Sequence, residues 1–409
     1  MGQPAIVTTP VSASPDDIQD RAFGRLLWLL TLSAVFISGG IHYQSPMLAT
    51  MAADLGATSA QIAWVPTLSF AGMFAGVLLL VPLGDRMNRR RLALGKLALL
   101  CASQAAMAAA PSVELLAAAS FATGLAGSLV QSMIAIVAAG AKPAERGRAM
   151  GTLFTGLFLG ILFARIVGGA MASQFGWRSS YVLSTVLLAG VFALFYARLP
   201  GSTPTTTASY VDLLRSAFDL LRTHTDIRRA AAIQFMLGTC YGAFWAVLAP
   251  MMDVAHRLTA AQIGLIGIPG AAGILVARPA GRWMDRSGIL PVGGTAIAAM
   301  IAAWLLLGFA EWFIAAVIVG AVLLDCALRA SLVSNQTLVN TAAPAARARA
   351  NTVFGSHVWG GNATGPFLGG HAYALMGWPG VCGVCLLACG FALAIHMRVR
   401  RSHRNRGAS

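Results

Sequence analysis

The sequence predicts an all-α integral membrane protein: twelve transmembrane helices in two six-helix bundles. Three observations predict it. Of 409 residues, 57% are hydrophobic and only 11% charged, against roughly 25% charged in soluble domains. The apolar residues come in runs of about 20, the length that carries a helix across a ~30 Å hydrocarbon core, with no alternating β-barrel pattern. Finally, the second half of the chain repeats the first.

Polar punctuation sets the spans. The first half gives 26–49, 61–82, 91–110, 113–140, 147–173 and 178–198; the second gives 230–253, 261–284, 291–310, 312–340, 347–375 and 377–397. Residues 1–20 carry Pro4, Pro10 and Pro15 and lack the charged-then-apolar pattern of a cleaved signal peptide, so they are expected to form a disordered cytoplasmic tail. The domains follow as a bundle over 21–198, a linker over 199–229, a bundle over 230–397 and a basic tail over 398–409. Within the linker, apolar residues at 213, 214, 217, 218, 220 and 221 alternate at helical spacing with Asp212, Arg215, Asp219 and Arg222. An amphipathic helix on the membrane surface and a plain linker both fit that pattern.

A net charge of +15 raises the question of nucleic acid, but the placement of the charges answers it. Only Arg178 and Arg257 fall in outward loops and Arg165 and Arg329 within spans, leaving 25 of the 29 Lys and Arg in or beside the cytoplasmic loops and tails. This is the positive-inside bias, and it implies an even number of spans with both termini cytoplasmic. The basic surface is a topology signal with some attraction for anionic lipid, and no nucleic-acid partner is expected.

The repeat has an offset of 201. Thr58, Ala60, Gln61 and Ile62 recur as Thr259, Ala261, Gln262 and Ile263, and Pro143, Arg146, Arg148 and Ala149 as Pro344, Arg347, Arg349 and Ala350. Gly168, Gly169, Gly176 and Trp177 recur as Gly369, Gly370, Gly377 and Trp378. Because each unit holds an even number of helices, the copies are parallel repeats about an axis normal to the membrane.

Two charged turns mark corresponding places in the halves. Pro82 to Leu92 reads PLGDRMNRRRL, and Gly281 to Gly288 reads GRWMDRSG, pairing Asp85 and Arg86 with Asp285 and Arg286. A topology signal needs arginines but no carboxylate. A carboxylate on a short loop can instead latch onto the partial positive charge and free N–H groups of a helix N-terminus. Lying between spans 2 and 3 and between spans 8 and 9 of a 6+6 repeat, these turns resemble the signature loop of the major facilitator superfamily. The first copy departs from it, with Val81 and Asn88 where the family has glycines. The resemblance implies that Asp85 meets the start of span 11, near Arg347 to Asn351, and closes the cytoplasmic side in the outward-open state. The candidate gating set is Asp85, Arg86, Arg89, Arg90, Asp285, Arg286, Arg347 and Arg349.

Span 11 contains Gly361, Gly365, Pro366 and Gly369, whose four-residue glycine spacing allows close helix packing. It resembles the glycine-proline motif that the family's exporters carry in span 5. In this chain span 5 itself has Gly160, Ala164, Arg165, Gly168 and Gly169 at the aligned places.

Polar residues deep in spans carry the functional candidates. Asp325 is the one acidic residue of 14 well inside a span, where a charge costs roughly 2.5 to 3.5 kcal/mol. Arg329 follows at i+4. A proton-coupling carboxylate and a structural ion pair both fit; by resemblance, span 10 borders the central cavity. Arg165 and His42 lie about 16 residues from the cytoplasmic starts of their helices, a depth of roughly 24 Å, which permits contact among His42, Tyr43, Gln44 and Arg165. An anion or proton site and simple packing both fit that cluster. Further cavity candidates are Gln131, Gln234, Tyr241, Trp245, Asn335, His357 and Asn362. Cys382, Cys385 and Cys389 share a helix face, but with no His or carboxylate between them they are expected to pack as small apolar residues, with no metal.

No catalytic constellation or phosphate-binding loop is present in the sequence, so neither enzyme activity nor a cofactor is expected. The expected function is secondary transport: export of small organic molecules by alternating access, by proton-coupled antiport. Proton-coupled uptake is the alternative, and a non-transporting receptor a remote one. The expected partners are a small-molecule substrate, protons and the bilayer. A monomer in a bacterial inner membrane is expected.

Overall fold

The computed structural model describes residues 15–142, 145–201, 209–270, 273 and 276–406, and among these every regular element is a helix. Ten helices are long and apolar enough to cross a membrane. Spans 1 to 6 are Ala22–Leu55, Ser59–Gly84, Arg89–Ala109, Val113–Gly140, Arg146–Phe175 and Trp177–Arg198. Span 7 is Thr225–His256, span 9 Ile289–Leu307 and span 10 Ile314–Ala342. The continuous stretch Arg347–Arg406 is two helices, spans 11 and 12, joined at Gly377 where φ is +64°. Span 8 is built from the short pieces Ala260–Leu265, Gly267–Gly270 and Ala277–Ser287, which completes twelve.

The sequence repeat is a repeat of local devices. Thr58 with Gln61 and Thr259 with Gln262 form reciprocal capping boxes that start spans 2 and 8. Just before them the backbone turns through the left-handed region at Gly56 and at Arg257. Gly176 and Gly377 both have positive φ, and each is followed by a tryptophan that the bundle buries. The Trp177 indole donates to the Asp54 carboxylate at 3.0 Å, and that of Trp378 to the Leu307 carbonyl at 2.6 Å.

Within the second half, span 11 lies directly on span 7. A Cβ at Gly361 would come within 2.1 Å of the Phe235 carbonyl and one at Gly365 within 2.2 Å of that of Thr239. These backbones therefore touch only because the residues are small. Between halves, equivalent glycines do the same work at the end of the molecule that carries Gly56 and Gly176. A Cβ at Gly169 of span 5 would stand 2.3 Å from the Ala260 carbonyl of span 8, and one at Gly370 of span 11 would stand 2.2 Å from the Ala63 Cβ of span 2.

One expectation is corrected. Residues 15–20, assigned to a disordered tail, are helical and continue into span 1 as Pro15–His42; residues 1–14 lie outside the described residues. Span 8, expected over 261–284, is helical at Ala260–Leu265, Gly267–Gly270 and Ala277–Ser287, and residues 271, 272, 274 and 275 lie outside the described residues. The linker, left open between two readings, contains the helix Tyr210–Thr223. Its Leu220 and Leu221 join Ile227, Ala230 and Phe354 in a small core, so part of its apolar face covers protein. The Tyr210 hydroxyl donates to the Leu79 carbonyl at 2.9 Å, fastening this helix to the end of span 2.

Candidate functional site

Charged side chains meet between the halves beside the Gly267–Gly270 stretch of span 8. A small cavity there is lined by Phe158 and Arg165 of span 5, Tyr241 of span 7, Gly267 and Gly270 of span 8, and Asp325 and Arg329 of span 10. The first half contributes the buried guanidinium of Arg165 and the second the half-buried one of Arg329, with the carboxylate of Asp325 on the same span as Arg329.

Arg165 is 3% exposed. Its stem lies along Gly267, where an added Cβ would be 2.9 Å from Cδ. The guanidinium carbon sits 3.4 Å from the Trp245 ring centroid, a close cation–π contact. Its Nη2 donates to the Tyr241 hydroxyl at 3.3 Å. The expected contact with His42, Tyr43 and Gln44 is thus replaced by partners from the other half. Equal depth on two helices does not fix which way each side chain points. The His42 Nδ1–H instead donates to the Ser38 carbonyl at 2.8 Å, and its ring meets Phe70 edge-on. Tyr43 packs over Gly168, and the Gln44 amide donates to the Ile41 carbonyl at 3.4 Å.

Asp325 is buried, with Oδ1 3.6 Å from Nη2 of Arg329. Its second oxygen faces Gly273 so closely that an added Cβ would stand 2.2 Å away. Arg329 also lies over the Phe158 ring of the first half, 4.8 Å from its centroid. One turn toward the loop end, the Gln234 carbonyl oxygen accepts from Ser331 at 3.1 Å and from the Asn335 amide at 3.3 Å. This network ties span 7 to span 10.

Other candidates are engaged locally. His357 and Asn362 bond the carbonyls one turn back, Val353 and Val358, both at 2.8 Å. Gln131 is half-buried in span 4. Of the gating set, the Asp85 side chain lies outside the described residues. Arg90 bonds the Tyr196 carbonyl and lies over its ring at 5.8 Å. Arg89 is half-buried, and Arg86, Asp285, Arg286, Arg347 and Arg349 are exposed. Asn351, at the start of span 11, donates to Asn340 at 2.9 Å. Cys240 and Cys389 bring their sulfurs to 3.6 Å inside the second bundle.

Sequence reasoning counted Lys96 with the basic loops. Its side chain is instead buried, with Nζ donating to Ser132 at 3.1 Å. Its place seven residues into span 3 is the signal that was available. Gly273 was also missed, because nothing in the sequence pairs it with Asp325.

The family model described as Major Facilitator Superfamily matches residues 29–229 and 230–409. The chain belongs to this superfamily. It is similar to the probable transporter SCO4007 of Streptomyces coelicolor, 32% identical over 384 residues, covering 93% of this chain and 88% of that protein. It is also similar to the uncharacterized transporter YgaY of Escherichia coli O157:H7, 29% identical over 358 residues, covering 87% and 91%. Among solved structures, a bacterial homolog of the human lysosomal transporter Spinster, inward-facing and unoccupied, superposes with a TM-score of 0.69 at 17% identity over 94% of this chain and 95% of that one. Family and fold are those of multi-pass membrane transporters, which are not enzymes.

Proposed function

We propose that this transporter exports small organic molecules by proton-coupled antiport, with the cavity between the halves as its binding site. The observation that carries the reading is the convergence of Arg165 from one half with Tyr241, Asp325 and Arg329 from the other. A site whose walls belong to two bundles is opened to either side when those bundles rock. Asp325 is the coupling group in this reading. It is a mid-span carboxylate whose ion pair with Arg329 is 3.6 Å long, so a proton can replace the arginine as its partner. Export is the lead reading by resemblance to the family's exporters: their glycine-proline pattern stands here in span 11 as Gly361, Gly365 and Pro366, while span 5, where they carry it, has Ala164 and Arg165.

The charged turns supply the gate. Asp85 and Asp285, with Arg86, Arg89, Arg90, Arg286, Arg347 and Arg349, make and break contacts at the loop end as that side closes and opens. The protein works as a monomer in a bacterial inner membrane, both termini cytoplasmic, with no nucleic-acid partner.

The test is flux into proteoliposomes of purified protein under imposed pH gradients. Antiport predicts faster uptake of labelled substrate when the lumen is acidic, since protons then leave as substrate enters. Faster uptake with an acidic exterior would mean symport.

A further inference from the structure

We infer that the substrate is an organic anion, a carboxylate on a flat apolar body, bound by Arg165 with Tyr241 and Trp245. The inference rests on the transport reading above and names the substrate class of the same cavity.

The charges do not balance. The buried Arg165 and the half-buried Arg329 face one buried carboxylate, and Asp325 is paired with Arg329. Among the described residues Arg165 makes no ion pair; its partners are a phenol hydroxyl and an indole face. A buried guanidinium cannot shed its proton, and desolvating it costs several kcal/mol unless an opposite charge is supplied. Neither a hydroxyl nor a ring quadrupole supplies a full negative charge.

The hydrogen-bond inventory points the same way. Arg165 Nε, Trp245 Nε1 and Arg329 Nε are buried donors without an acceptor among the described residues. Donors with nothing to donate to, beside an uncompensated cation, fit a ligand made of acceptors with negative charge. Phe158, Ile161 and Leu162 supply apolar surface in the cavity for the rest of the molecule, and Trp245 backs the guanidinium that stacks on it. A neutral ligand would leave the Arg165 charge unanswered, and a cation would add to it.

The structure also supplies a reason for Arg165 to wait in place. Gly267 and Gly270 flank its side chain, and the latter's added Cβ would stand 3.9 Å from Nη1. The guanidinium is therefore held in a slot with its stem fixed, and binding orders few side chains.

The test uses matched acid–amide pairs on the purified full-length protein: benzoate with benzamide, and indole-3-acetate with indole-3-acetamide, read as thermal-shift titrations. At least one acid should raise the melting temperature with an affinity about tenfold or more above that of its amide, the order expected when a charge-assisted bond replaces a neutral one. Arg165→Gln should remove the preference. Arg165→Lys should keep it at weaker affinity, since an ammonium retains the charge but not the fork. Amides binding as well as acids, no acid binding at all, or an unchanged preference in a folded Arg165→Gln protein would each overturn the inference. The wild-type comparison stands even if a variant does not fold. Because the readout is binding, the two readings fail separately. Acid-selective binding without flux in proteoliposomes would sink transport alone, and flux of a neutral or cationic compound without acid preference would sink the anion alone.

Discussion

Asp325 shows how a single side chain can hold two roles and how they can be separated. Placed 2% exposed at mid-span, it neutralises Arg329 whether or not it also carries a proton. Asp325→Asn leaves that half-buried arginine unpaired, and since the loss in a fully buried pair is about 3 to 5 kcal/mol, a smaller fall in the thermal midpoint in detergent, of a few degrees, is expected. The double variant Asp325→Asn with Arg329→Gln removes both charges and should recover most of that midpoint. If Asp325 couples transport, the flux of the double variant should still lack the wild-type dependence on pH. Recovery of both stability and pH dependence would leave the carboxylate a purely structural role. Tyr241→Phe deletes the acceptor of Arg165 at the cost of one hydroxyl. It should weaken substrate affinity by roughly five- to tenfold, on the order of 1 kcal/mol, with little change in melting temperature, measurable in the same titrations.

The sequence revealed the Asp325–Arg329 pair because i,i+4 neighbours on a helix are neighbours in space. It did not reveal the partners of Arg165. Counting residues along a span gives depth, whereas azimuth is set by packing, here by Tyr43 seated over Gly168 and Gly267 receiving the arginine stem.

At the scale of elements, two sets of glycines that look alike in the sequence act on different things. Gly361 and Gly365 bring span 11 against span 7 within one bundle. Gly361→Val should abolish accumulation of folded protein, as judged by expression and a monodisperse peak in detergent. Gly169 and Gly370 instead bring one half against the other. Gly370→Ala puts a methyl 2.2 Å from the Ala63 Cβ, in a contact that exists only while this end is shut. The protein should therefore fold, but with the shut arrangement disfavoured. A cysteine placed at Ser173 should react faster with maleimide in that variant than in the same cysteine background with Gly370 intact; equal rates would mean that the contact does not resist opening.

The helix starts were legible as elements because a Thr with Gln three residues later satisfies its own end groups locally. Gly and Pro, by contrast, do not mark a break by themselves, since Pro250 and Pro366 lie inside continuous helices.

For the whole molecule, sidedness is the property that the charge distribution argues for most directly. Arg198, Arg222, Arg228 and Arg229 gather where the halves are joined, and Glu114 lies at the other end of the bundle, exposed. In a cysteine-free background, Glu114→Cys should be labelled in intact cells by a membrane-impermeant maleimide and Gly201→Cys should not. The opposite pattern would invert the topology and with it the direction of transport proposed above.

The sequence by itself determined the class, the count of twelve spans and the internal duplication. Each follows from patterns that act locally or by number: hydrophobic length against bilayer thickness, loop charge, and caps and turns repeated at an offset of 201. Only the tertiary structure decided which charges meet. Arg165 is separated from Tyr241 by 76 residues along the chain, and two bundles must dock before that distance closes. Hydrophobic patterning tells each helix to be in the membrane, yet lipid solvates every apolar face alike. The choice of neighbours falls to small residues that let backbones touch and to buried polar groups that need partners. In the cavity between the halves Asp325 and Arg329 answer each other's charge, and the charge of Arg165 is left to the substrate.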